Sequence, residues 1–295
     1  MYYTYDYYFW VEETKYQGMV NDCLLKYSIS TEPTTYPLFD TLKYEFSIPE
    51  HEYNIPAINH DLMALYQRGV LTTYGEPHRH LLFEKDDYEK SPFFFVHSTG
   101  NSSKAFIESK HKRGKKKIIC ETCGAFTFDQ TAPLTVHSKK MGKRLMVNAD
   151  TSYWIITNSF AEMLKDWGMK GYQLKEVITG SDEILYQLEP TATLPLRHLS
   201  TPLFRREDAE RCTNCTVMSH VPYVNYYDQS ICELDTDFVT TYEWTTDGKK
   251  LYKSLLISKK LRRHLLANRI TREVTNDRDK VYGHSDWWLI PIFLI

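Results

Sequence analysis

The chain has 295 residues, which is enough for one large domain or two of medium size. Its hydrophobic content of 42% and its charged content of 25% are those of an ordinary globular protein. The formal net charge of −2 excludes the strongly basic field by which whole proteins bind nucleic acid non-specifically.

Both ends of the sequence are rich in aromatic or apolar residues, but neither has a targeting pattern. Residues 1–10 lack the basic start and the aliphatic run of a signal peptide. The run 287–295 is shorter than the roughly 20 residues that cross a bilayer, and Pro291 interrupts it, so a buried terminal strand is expected. We therefore expect a cytoplasmic protein without membrane contact, in which thiolates bind metal rather than form disulfides.

The first 110 residues predict a strand-rich region. The chain contains 22 tyrosines, and tyrosine favours strands and half-buried surfaces. Aromatic residues crowd positions 2–10, and the segment 42–48 alternates with the period of two that is typical of strands. A helix is predicted from Pro56 to about Arg68, with Gly69 as its C-terminal cap.

Residues 109–117 form a strongly basic run that leads into Ile118, Ile119 and Cys120. Such a run could bind phosphate or an acidic partner, or it could be a solvated hairpin. The hairpin is favoured, because the run contains no aromatic residues on which bases could stack. It would place Cys120 at the end of a strand, where the cysteine turns of zinc ribbons normally lie.

Two Cys-x-x-Cys pairs predict a structural zinc site. They are Cys120 with Cys123 and Cys212 with Cys215, in a chain that has six cysteines. We call each pair and its turn a knuckle. Two knuckles supply the four thiolates of a tetrahedral Zn²⁺ site, and a site closed in this way leaves no coordination position for catalysis.

Other interpretations of the cysteines remain open. The four residues could be ordinary buried cysteines, or His137 or His220 could replace one thiolate. Cys23 and Cys232 have no close partner in the sequence and are expected to be buried apolar residues.

The segment after each knuckle has a similar pattern of a strand that leads into a helix. In the first copy the helix is capped by Thr157 or Asn158 and ends at Gly168. We interpret the similarity as a degenerate internal duplication, and the helix near 56–68 is a candidate for a third, more diverged copy. The matched pairs are Thr157 with Ser258, Phe160 with Leu261, Leu164 with Leu265, and Met169 with Ile270.

The sequence has no pattern that predicts a reaction. It contains no Gly-x-Ser-x-Gly, no phosphate-binding glycine loop and no His-Glu-x-x-His. Eleven histidines could assemble into a site in space, but the sequence gives no way to choose among them. We therefore expect that the protein is not an enzyme.

The two knuckles and the segment Trp154–Tyr172 resemble bacterial double-CxxCG motif proteins and related immunity proteins of polymorphic toxin systems. In those families a strand leads into a helix that begins with Ser or Thr and ends in Gly-x-x-Gly-aromatic, here Thr157 and Gly168–Tyr172. The resemblance covers roughly residues 115–290, and it departs at Thr216, where the second knuckle should have glycine. It implies a cytoplasmic, non-catalytic protein that binds and neutralises a cognate toxin.

Together these observations predict an α+β protein with two regions. Residues 1–110 would be strand-rich, and residues 111–295 would be a duplicated α/β unit joined by a zinc-ribbon-like four-cysteine site. The tyrosine-rich N-terminus and Asp235–Phe238 are candidates for the surface that binds the toxin. The alternative is a zinc-ribbon protein that binds nucleic acid through basic faces at 110–117 and Lys259–His264, but the near-neutral net charge makes nucleic acid the weaker prediction.

Overall fold

A computed structural model describes residues 1–11, 14–36, 41–75, 77–98, 114–149, 152–201, 224–247, 250–271 and 287–295. These residues form a strand-rich fold with five α-helices among them, which confirms the predicted α+β class. They divide into two compact units, of which unit 1 is Met1–Glu84 and unit 2 begins at Lys85. The sequence places this division near residue 110. None of the helices in the described ranges is long and apolar enough to cross a bilayer.

Unit 1 is an antiparallel sheet with two helices. Its central strand β1 pairs with β3 on one side and with β4 and β5 in turn on the other, and β2 pairs with the outer side of β3. Its elements are β1 (Tyr2–Val11), α1 (Gln17–Leu25), β2 (Thr34–Tyr36), β3 (Thr41–Pro49), α2 (Ile55–Gln67), β4 (Thr73–Tyr74) and β5 (His78–Leu82).

One face of this sheet forms the core of unit 1. Alternate residues of β1, among them Tyr7 and Phe9, are buried with Tyr44 of β3 and with Leu24 and Leu62 of the two helices. Burial of each such side chain stabilises the fold by about 1.5–3 kcal/mol. The side chains of the intervening residues of β1 lie on the other face of the sheet.

Helix α2 has the start and the end that the sequence predicts. The side chain of Asn54 accepts a hydrogen bond from the amide of Ala57, and Pro56 occupies the first turn, where its missing N–H costs nothing. At the other end Gly69 adopts a φ of +72°, and the amide of Val70 donates to the carbonyl of Leu65. The predicted helix and its glycine cap are therefore confirmed.

Unit 2 contains five described sheets, of which three have four or five strands and two have two. Its elements are α3 (Lys85–Lys90), β6 (Phe93–Ser98), β7 (Lys115–Cys120), β8 (Ala125–Asp129), β9 (Thr135–Val136), β10 (Met146–Ala149), β11 (Tyr153–Thr157), α4 (Asn158–Asp166), β12 (Tyr172–Glu176), β13 (Ile178–Thr179), β14 (Leu185–Pro190), β15 (Ala192–Thr193), β16 (Tyr226–Tyr227), β17 (Phe238–Thr240), β18 (Thr245–Asp247), β19 (Lys250–Tyr252), β20 (Leu255–Ser258), α5 (Lys259–Ala267), β21 (Trp287–Pro291) and β22 (Phe293–Leu294). The sheets have the orders β10-β11-β14-β12, β15-β17-β20-β6-β21, β18-β19-β8-β7, β13-β9 and β16-β22.

Two of the three larger sheets, the two that carry α4 and α5, share one arrangement. In each, the strand that leads into a helix lies between two antiparallel neighbours, and the strand that follows the helix lies one place further along. The four strands are β10-β11-β14-β12 in the first sheet and β17-β20-β6-β21 in the second. The strand in third place differs in origin: β14 comes after the helix of its sheet, whereas β6 comes long before.

The corners between strand and helix also match, at the residues that the sequence aligns. Thr157 Oγ1 accepts from the amide of Phe160 at 3.2 Å, and Ser258 Oγ accepts from the amide of Leu261 at 3.1 Å. After the helices, Gly168 and Arg269 both have positive φ. This likeness covers the corners and the strand order. A duplicated unit that includes a knuckle stays a prediction, because residues 202–223 lie outside the described residues.

A buried carboxylate joins the end of α4 to the start of α5. Asp237 is 5% exposed, and its oxygens accept from the amide of Lys170 at 2.8 Å and from Ser258 Oγ at 2.5 Å. Its amide donates to the carbonyl of Lys170, and its carbonyl accepts from the amide of Ser258, both at 3.0 Å. Four hydrogen bonds therefore hold the turn after α4 against the cap of α5.

We predict that Asp237→Ala destabilises the protein by several kcal/mol. The substitution leaves the buried hydroxyl of Ser258 and the partly buried amide of Lys170 without their acceptor, and a buried donor in that state costs about 1–3 kcal/mol. Asp235→Ala is the matched control, because its ion pair with the same Lys170 is exposed and such pairs contribute about 0–1 kcal/mol. Urea unfolding measures both, and equal losses would contradict the role of Asp237.

A second prediction concerns Gly171, which has a φ of +83°. A Cβ there would lie 1.6 Å from Thr236 Oγ1 and 3.0 Å from the carbonyl oxygen of Phe238. Gly168 also has positive φ, but a Cβ there meets nothing within 4 Å. We expect Gly168→Ala to cost about 1–2 kcal/mol by backbone strain alone, and Gly171→Ala to cost clearly more. Thermal melting compares them, and similar melting temperatures would refute the steric argument.

Candidate functional site

The first knuckle begins at the end of a strand, as the sequence predicts, and it forms the tip of the β7–β8 hairpin. Residues 109–113 of the predicted basic hairpin lie outside the described residues. Cys120 ends β7, the turn spans residues 121–124, and Ala125 begins β8. Gly124 supplies the positive φ of +68° that closes the turn. Cys120 is buried with Ala125 and Leu251, and Cys123 packs half-buried against this cluster.

A β-bulge turns the knuckle toward the interior. Ile118 pairs with Phe126, but Cys120 pairs with Ala125, so the register shifts by one residue between the two. Without the shift, Ile118 and Cys120 would lie on the same face of β7. With it, Cys120 is buried while Ile118 stays 46% exposed on the opposite face.

The structure describes half of the predicted zinc ligands. Cys120 and Cys123 share one turn, whereas Cys212, Cys215 and the alternative ligand His220 lie outside the described residues. The described part of the chain holds no group of three or more His, Cys, Asp or Glu residues that could bind a metal. The four-thiolate zinc site therefore stays a prediction.

The two remaining cysteines differ from each other. Cys23 packs half-buried against the core of unit 1, and burial is the main cause that raises the pKa of its thiol. Cys232 is exposed, so the prediction of a buried apolar residue is wrong there. Cys232 lies in a short 3-10 turn, Gln229–Glu233, in which Ile231 is the buried residue. So short a turn leaves no periodic pattern in the sequence from which the buried position could be predicted.

The second feature is an aromatic face on the solvent side of the unit 1 sheet. It consists of Tyr8 and Trp10 of β1, Tyr36 of β2 and His78 of β5. The ring centroids of Trp10 and Tyr36 lie 5.0 Å apart, and those of Tyr8 and His78 lie 5.8 Å apart in a stacked pair. Tyr8 is 37% exposed and Tyr36 38% exposed.

The charged residues on this side of the sheet include Asp6 of β1, which is buried, and an ion pair on β3. Lys43 and Glu45 of β3 lie opposite Trp10 and Tyr8 in the register, and their side chains form a 2.6 Å ion pair. The solvent side of an antiparallel sheet is normally polar, so a row of aromatic residues there is unusual. In the sequence, aromatic residues occupy both odd and even positions within 2–10. The odd positions, such as Tyr7 and Phe9, pack in the core, and the even positions Tyr8 and Trp10 lie on this face.

Comparison with known proteins adds no relative. No family model, curated protein or solved structure matches this chain. The resemblance to immunity proteins is therefore still a prediction, and the functional argument depends on the surfaces that the chain itself presents.

The segment Asp235–Phe238, a candidate for the toxin-binding surface, is partly buried. Asp237 is buried in its hydrogen bonds, and Phe238 is buried as well. Asp235 alone of the two acids reaches solvent, where Lys170 neutralises it at 2.6 Å.

The basic face predicted at Lys259–His264 is largely used inside unit 2. Arg262 is 2% exposed, and its guanidinium carbon lies 4.9 Å from the ring centroids of Tyr88 and of Phe94. Lys260 donates to the carbonyl of Gly168, and Lys259 contacts Glu89. Burial of Arg262 depends on α3 and β6, which lie far away in the sequence.

We predict that Cys120→Ser lowers the zinc content of the purified protein and its melting temperature. Serine keeps the size of the side chain but removes the thiolate that the metal requires. Cys232→Ser is the control, because its thiol is exposed and lies outside both knuckles. Elemental analysis and melting with and without chelator measure the effect. A wild-type protein that contains no metal and melts unchanged in chelator would rule out the zinc site.

Proposed function

We propose that this protein is a non-catalytic binding protein and that the aromatic face of unit 1 contacts a protein partner. The observation that carries the proposal is the position of Tyr8, Trp10 and Tyr36 together on the solvent side of one sheet. The core of unit 1 does not need these side chains, because the opposite face already buries its own aromatic set. Their exposure therefore calls for an explanation outside the fold.

The chemistry of the face favours a protein. Tyrosine and tryptophan offer large contact areas with few rotatable bonds, and they are the residues most enriched at the energetic centres of protein interfaces. Lys43 is paired with Glu45, and Asp6 adds an acidic group on the same side of the sheet, so a polyanion would gain little there. A partner that offers an apolar or aromatic surface is the better match.

We further propose that the partner is a toxin. The support is the resemblance of the knuckles and of the segment Trp154–Tyr172 to immunity proteins, together with the compact corner that this segment forms around Thr157 and Gly168. Binding would neutralise the toxin by occlusion of its functional surface. In this proposal the zinc site is structural and stabilises unit 2.

Site-specific photo-crosslinking in the native host tests the contact. A benzophenone side chain at position 8 or 36 should give one covalent adduct with one protein species. The same group at Tyr66 is the matched control, because Tyr66 is an equally exposed tyrosine, at 42%, on α2. Equal adducts from all three positions, or none from 8 and 36, would argue against the aromatic face.

The toxin assignment needs a second measurement. The captured protein, expressed alone, should arrest growth, and co-expression of the wild-type chain should restore it. Tyr36→Ala should bind the captured protein about 30-fold more weakly, as expected for loss of an aromatic hot spot of roughly 2 kcal/mol, while it keeps the melting temperature because β2 is exposed. If the captured protein is harmless, the aromatic face is still a binding site, but its partner is not a toxin.

A further inference from the structure

We propose that unit 2 has a second binding surface, which takes single-stranded nucleic acid. It is the solvent side of the sheet β18-β19-β8-β7, whose other side buries Cys120, Ala125 and Leu251. This proposal goes beyond the protein partner of unit 1 and is tested independently of it. We call the surface the lysine–aromatic face; its residues are Lys116, Ile118, Phe126, Phe128, Lys250 and Tyr252.

The strand register places these side chains together. Lys116 pairs with Phe128, and Ile118 pairs with Phe126. Paired residues lie on the same face of a sheet, so these four side chains lie together. Strand β19 lies along the other edge of β8, and its residue Lys250 also pairs with Phe126. Because of the bulge between Ile118 and Cys120, Ile118 lies on this face opposite Phe126, whereas Cys120 is buried on the other face.

The contacts between the side chains fit a surface for a charged, stacking ligand. The ring centroids of Phe126 and Phe128 lie 5.4 Å apart, and the rings are half-buried, so each has an accessible part. The Lys116 ammonium lies 4.3 Å from the ring centroid of Phe126, and that of Lys250 lies 5.9 Å from the ring centroid of Phe128. Each ring therefore has a lysine ammonium next to it. A base that stacks on the ring would have its phosphate near that ammonium.

This arrangement answers the sequence argument against nucleic acid. The basic run has no aromatic residue of its own, but the neighbouring strand β8 supplies two at the matching register. Proteins that bind single strands without sequence preference combine a basic track with aromatic platforms in this way. Near-neutral net charge does not oppose a local face, since screening limits charge effects to about 8–10 Å at physiological salt.

The opposite side of β7 provides a built-in control. Lys117 pairs in register with Thr127, and its ammonium lies 3.9 Å from the carboxylate of Asp129, with both side chains well exposed. Lys117 is thus a neighbouring lysine of the same run that points away from the aromatic rings and already has an acidic partner.

Fluorescence anisotropy of labelled oligothymidylate and oligouridylate with the full chain tests the proposal. Phe128→Leu should weaken binding at least about fivefold, since stacking of a base contributes about 1–3 kcal/mol. Lys116→Gln combined with Lys250→Gln should reduce the slope of log affinity against log salt by about 1.4, at roughly 0.7 for each phosphate contact to a single strand. Lys117→Gln should have a smaller effect on affinity than Lys116→Gln.

Two results would overturn the proposal. The first is the absence of binding to either oligonucleotide at low salt. The second is binding that Phe128→Leu leaves unchanged, that Lys117→Gln and Lys116→Gln weaken equally, or that an acidic peptide of the same charge reproduces. If Phe128→Leu lowers the melting temperature, the exposed lysine variants decide the question, with circular dichroism as the check that they are folded.

Discussion

The carboxylate of Asp237 is the constraint on which the two strand–helix corners of unit 2 depend. A carboxyl group so deeply buried is tolerated only where polar partners replace the water it loses. Here the partners are the backbone of Lys170, the cap of α5 and the Lys260 ammonium at 3.9 Å, so this side chain connects the end of one corner to the start of the other. Gly171 permits this close approach, because a side chain there would collide with Thr236.

The two units present chemically different surfaces. In unit 1 the sheet buries one aromatic set and displays the other, and the displayed face carries an ion pair on β3. In unit 2 the aromatic rings of β8 lie among lysines from the strands on either side. An aromatic face whose lysine is paired suits a protein surface and a basic aromatic face suits a phosphate backbone, so one chain could bind both kinds of partner without competition for residues.

Local features of the fold were predictable, whereas long-range ones were not. The cap at Thr157, its aligned counterpart Ser258 and the glycines after α2 and α4 follow from rules that act within a few residues, and the structure places them as predicted. The end of a strand at Cys120 was likewise predicted from the residues next to it. The burial of Arg262, by contrast, depends on Tyr88 and Phe94, and the lysine–aromatic face depends on which strand pairs with β7. Such pairings are set by the whole chain and leave no local pattern.

The place of β6 in its sheet has a consequence for biosynthesis. Its residues Phe93–Val96 are buried between β20 and β21, yet all of 99–254 must be translated before β20 exists. At about 5–20 residues per second, this aromatic strand leaves the ribosome about 8–30 seconds ahead of its first neighbour. Both of its edges are open during that interval, and unpaired apolar strands are where nascent chains aggregate. The yield of folded protein should therefore depend on chaperones that cover β6 during translation.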